Sequence, residues 1–135
     1  MWIDRLRLVL RLNALTSFLG GALAVIAAPW VSETLGIDHV TATRLVGVGL
    51  IGFALHVGWT STRSERRLLA ETRLISAGDA AWVLATVVVV ALGLLTTWGV
   101  VVAAAVGLAV ADFGLAQWWL RAKALAPGVA PAAAV

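Results

Sequence analysis

The chain has 135 residues, a one-domain length, and is 61% hydrophobic but only 13% charged, against about 25% charged for a soluble domain. Its mean hydropathy is +0.99, which is more apolar surface than a fold of this size can hide from water, so lipid must cover part of it. The net charge of +3 comes from basic residues that flank apolar runs and form no stripe with aromatics, which argues against nucleic acid; the absence of cysteine removes disulfides, thiol catalysis and thiolate metal sites.

The first segment places Arg5, Arg7 and Arg11 ahead of an apolar run from Leu12 to Ala28. A basic start, an apolar run and the small pair Ala22/Ala24 also resemble a signal peptide. It is read here as a retained transmembrane helix, TM1, over about 6–28, ended by Pro29. Residues 31–40 are expected as an external loop, with Glu33 and Asp38 but no lysine or arginine. TM2 follows over about 41–60, with Arg44 near its outer end, where a long side chain can snorkel to the headgroups.

The stretch from Ser61 to Ile75 holds Arg63, Arg66, Arg67 and Arg73. It is expected as a cytoplasmic loop, because moving several guanidinium groups across hydrocarbon is too costly. Its Leu68, Leu69, Leu74 and Ile75 suit a short interfacial helix. From Ala80 to Leu120 the chain is almost wholly apolar. As one helix this run would be ~60 Å long, about twice the hydrocarbon thickness, so it must fold back. A turn over Leu95–Gly99 gives TM3 at about 77–95 and TM4 at about 99–120, and residues 124–135 read as a flexible Ala/Pro tail.

The expected architecture is an all-α polytopic membrane protein with four transmembrane helices as two hairpins, N-in and C-in, in a bacterial cytoplasmic membrane. Nine of its ten basic residues fall on the proposed cytoplasmic side, Arg44 being the exception. The two hairpins can be aligned as a parallel repeat through Val48-Gly49-Leu50 and Val106-Gly107-Leu108, although low-complexity apolar sequence produces such alignments without duplication.

Helices in lipid associate through small residues and polar contacts. Gly20 and Ala24 on TM1, Gly49 and Gly52 on TM2, and Ala105 and Ala109 on TM4 are the expected packing positions. His56 and Asp112 share those faces and are expected to point at a neighbouring helix. With Gln117, Asn13 and Asp79 they form a candidate polar binding or proton site in the cytoplasmic half, since ionisable groups at depth are costly. Each has a structural alternative. Asp112 and His56 can fix helix register through a hydrogen bond. Asp79 fits a capping box begun by Ser76 at the start of TM3, and Asn13 fits an interhelical hydrogen bond. No phosphate loop, HExxH or serine triad is found, and no metal or cofactor is expected.

The residues from Arg11 to Trp30, Leu35 to Ile37 and Arg44 to Leu55, together with the basic centre, resemble the DoxX-like group of small bacterial membrane proteins. That resemblance implies a four-helix layout and an accessory membrane role, and it carries over no catalytic residue. The expected function is an accessory or binding subunit whose partners are the bilayer and either a larger complex or a second copy. The rival is a proton-linked transporter or channel using Asp112 and His56.

Overall fold

The computed structural model describes residues 1–127. They form five helices: α1 (Trp2–Ile26), α2 (Ala28–Leu35), α3 (Val40–Thr60), α4 (Glu65–Ala91) and α5 (Thr97–Leu125). No strand occurs among the described residues. All but α2 are long and apolar enough to cross a membrane, as expected of a membrane protein. The starts of α1 and α4 pack with the ends of α3 and α5, so successive long helices are antiparallel, with α1 packed most closely on α3 and α4 on α5. A further α1–α5 contact joins the two pairs, whereas α3 and α4 touch little.

Three connections differ from the expectation. The loop over 31–40 is largely α2. Pro29 has no N–H to give and stands in the first turn of that helix, where none is needed. The helix ends at Gly36, whose φ of +81° a larger residue would resist. Thr96 then straps α2 to the α4–α5 turn, donating its backbone N–H to Leu35 O at 3.0 Å. That turn spans 92–96, earlier than expected, because the Thr96 hydroxyl accepts from Gly99 N and starts α5 there.

The third difference is the basic stretch. Only Ser61–Ser64 form a turn, and α4 begins at Glu65. Leu68, Thr72 and Ile75, at helical spacing, are fully buried, so this stretch is the first two turns and more of a long helix. Its arginines take the other faces. Ser76 is thus mid-helix, and the expected capping box does not exist. At the far terminus α5 continues to Leu125; of the expected tail, 128–135 lie outside the described residues.

The tightest apolar core is Leu6, Leu10, Val57, Leu68, Ile75 and Leu120. It lies at the end of the bundle where α1 and α4 begin and α3 and α5 finish. Nine of the ten basic residues belong to that half, and Arg44 to the other. The placement follows from solvent. Apolar burial is driven where water is the alternative, whereas inside lipid helix faces gain little by leaving hydrocarbon. The Arg7 guanidinium closes this end, donating to Ser61 O and, at 2.8 Å, to Arg63 O.

Away from the core, α1 and α3 meet backbone to backbone. A Cβ on Gly21 would stand 2.7 Å from Gly47 O, and one on Gly47 would stand 2.8 Å from Gly21 O. Ala24 lies in this contact. Gly20, Gly49 and Gly52 do not: nothing lies within 4 Å of a Cβ built on any of them. Ala105 and Ala109 are likewise exposed on α5. A step of one residue turns a helix by ~100°, and it is Gly21, not Gly20, that is turned onto α3.

Candidate functional site

A carboxylate–amide cluster is buried inside the bundle, apart from the buried Ser32–Thr43 hydroxyl pair between α2 and α3. Asn13 of α1, Asp79 of α4 and Gln117 of α5 are 1%, 3% and 0% exposed. Asn13 Nδ2 and Gln117 Nε2 both donate to Asp79 Oδ2, each at 3.0 Å. Two serines extend the cluster, Ser17 Oγ donating to Asn13 Oδ1 at 3.1 Å and Ser76 Oγ to Gln117 Oε1 at 3.4 Å. The result is a hydrogen-bonded chain across three helices: Ser17, Asn13, Asp79, Gln117, Ser76.

Local sequence explains how each member arrives. Ser17 lies four residues after Asn13, and Ser76 three before Asp79, so each pair shares a helix face. Gly114 of α5 faces the carboxylate, where a Cβ would stand 3.4 Å from Asp79 Cβ. The cluster sits just inside the apolar core. By helical rise Asp79 is ~9 Å beyond Arg73, Gln117 ~6 Å before Arg121 and Asn13 ~3 Å past Arg11.

No ion pair involves Asp79 among the described residues. Its carboxylate is held by amide dipoles alone, which in a low-dielectric interior makes each donor matter more. Asp79 Oδ1 accepts no hydrogen bond among the described residues. Asp79 and Ser17 also line a groove of about 290 Å³ between α3 and α4, walled by Leu50, Phe53 and Trp82. The cluster can therefore hold helices in register and offer one acceptor sideways. Among the described residues no three His, Asp or Glu side chains gather to hold a metal ion.

Of the five candidate site residues, the fold brings together Asn13, Asp79 and Gln117, and leaves His56 and Asp112 apart. His56 is exposed on α3, with Nε2 3.3 Å from Glu71 Oε2 and its ring beside Trp59. Asp112 is exposed on α5 and makes no hydrogen bond or ion pair among the described residues. The expectation that both face a neighbouring helix is corrected for Asp112, while His56 meets α4 through Glu71 but from an exposed position: the interior sides of α3 and α5 run through Ala54 and Val57, and through Gly107, Gln117 and Leu120. Ser17 and Ser76 end this network, and Ser76 does so as a hydrogen-bond donor to Gln117 where a helix cap for Asp79's helix is expected; the spacing of each serine to Asn13 or Asp79 is the signal in the sequence.

Comparison with family models, curated proteins and solved structures finds no match to this chain. Fold and site together define a class: an all-helical membrane protein with four candidate spans and one buried carboxylate–amide cluster.

Proposed function

We propose that the chain is an accessory or binding subunit of the bacterial cytoplasmic membrane, both termini in the cytoplasm, acting beside a larger complex or a second copy. The clustering of nine cations at one end supports the orientation. The observation that carries the role is that the donor groups of the interior polar cluster all bond within it, leaving Asp79 Oδ1 open, toward the α3–α4 groove. Asp79 Oδ2 takes both amides, and two serines finish the ends. Toward the far end, the α1–α3 contact is made by Gly21, Ala24 and Gly47, which offer no side chain to relay an ion or proton. Such a bundle acts through its flanks. Asp112, exposed among Ala105, Ala109 and Ala116 on α5, is where a partner helix gains a polar contact. The DoxX-like resemblance points the same way.

The rival reading, proton-linked transport, draws support from Asp79, a buried carboxylate beside the α3–α4 groove. One preparation separates the two. The protein is extracted from native membrane in mild detergent, weighed as an intact complex, and then assayed for proton flux in proteoliposomes. The accessory role predicts a defined assembly that Asp112→Leu weakens, and no flux. A lone protomer whose flux Asp79→Asn abolishes overturns it.

A further inference from the structure

The outer seam between α4 and α5 carries a groove of about 540 Å³. Ala77, Ala80, Ala111 and Gly114, which have no side chain beyond Cβ, leave its floor open between the larger Val83, Val110 and Leu115. At the basic end its mouth is formed by Arg73, Ser76 and Trp118. Along α4 it runs from Arg73 to Val83, and by helical rise those ten residues span ~15 Å, one leaflet of a ~30 Å hydrocarbon layer. The seam is thus a slot one leaflet deep, apolar along its length and cationic at the headgroup level.

We propose that this groove binds one anionic phospholipid, its phosphate on Arg73 and an acyl chain along the α4–α5 floor. Charge selects the occupant. The Arg73 side chain is exposed and makes no ion pair or hydrogen bond among the described residues. No aspartate or glutamate lines the groove, so the ammonium of a zwitterionic headgroup finds no counter-charge there. Two further guanidiniums strengthen the field. Arg66 lies seven residues before Arg73 on the same face of α4. Arg121 bridges the seam one turn away, its Nε donating to Leu69 O at 2.7 Å. Trp118, mostly exposed, stands at the depth where indoles prefer the headgroup boundary. A bound lipid also touches Ser76, the outer end of the interior network, and so buttresses the α4–α5 contact that holds Gln117 against Asp79.

The test counts lipids bound to the purified full chain by native mass spectrometry, during titration with phosphatidylglycerol or phosphatidylcholine. The first phosphatidylglycerol should bind more tightly than phosphatidylcholine. Arg73→Gln should weaken it about fivefold, the effect of one basic residue at a membrane surface, and weaken phosphatidylcholine, whose ammonium offsets its phosphate, by clearly less. Arg67→Gln removes an equal charge from another face of α4 and should change neither. Ala80→Trp fills the floor and should weaken both lipids, with helicity by circular dichroism unchanged. The proposal is overturned by equal binding of the two lipids to wild type. It is also overturned by equal losses in Arg67→Gln and Arg73→Gln, by displacement with inorganic phosphate, or by a second copy occupying the seam.

Discussion

Gln117 and Asp79 meet across the α4–α5 seam through a single 3.0 Å hydrogen bond, on the same carboxylate oxygen that Asn13 of α1 also reaches at 3.0 Å. Asp79 is the hub: without it, two buried amides on α1 and α5 lose their common acceptor. Removing one donor should therefore be costly. Gln117→Leu leaves a buried carboxylate with one amide and should destabilise the bundle by ~1–3 kcal/mol. Unfolding in a detergent titration reads this. A double-mutant cycle of Asn13→Ala with Asp79→Ala should give a coupling of ~0.5–2 kcal/mol, and additivity would show that the two do not act together.

The glycine contact predicts opposite outcomes at sites two residues apart. Gly47→Ala places a Cβ 2.8 Å from Gly21 O, so α1 and α3 must move apart. A loss of ~1–3 kcal/mol is expected. Gly49→Ala meets open space and gains helix propensity, so it should be neutral or stabilising by up to ~1 kcal/mol. Thermal unfolding of the two purified variants decides, and equal effects count against the Gly21–Gly47 contact.

A core confined to the basic end has its own signature. Ile75→Ala opens a cavity among fully buried neighbours and should cost ~2–4 kcal/mol. Leu108→Ala trims a side chain that is 69% exposed, and should change stability by under ~0.5 kcal/mol in detergent. If the two substitutions cost the same, the core is not where water drives it.

Orientation is open to a clean measurement, because the chain has no cysteine to give background. Arg67→Cys should resist a membrane-impermeant maleimide added to intact cells, and Leu94→Cys, in the exposed α4–α5 turn, should react. The reverse pattern would place the cationic end outside and remove the support for cytoplasmic termini.

Legibility followed the kind of signal. Span number was readable because hydropathy is summed over some twenty residues, and single errors average out. The basic stretch misled because its charges outweighed Leu68, Thr72 and Ile75, which show helical spacing once the arginines are set aside. Asn13, Asp79 and Gln117 were recognisable as polar groups in apolar surroundings, but Asp112 and His56 carried the same mark. Only the direction in which each helix turned separated them.

By itself, then, the sequence determined the solvent: composition dictated lipid, and charge placement divided the molecule into a cationic end and a neutral one. What the tertiary structure decided was rotation. Beyond the basic start of α4, the spanning parts of the long helices are apolar nearly all round, so no strong amphipathic stripe tells them which side to turn inward. That choice was left to close contacts, Gly21 on Gly47 and two amides on one carboxylate oxygen, which exist only once the helices are packed.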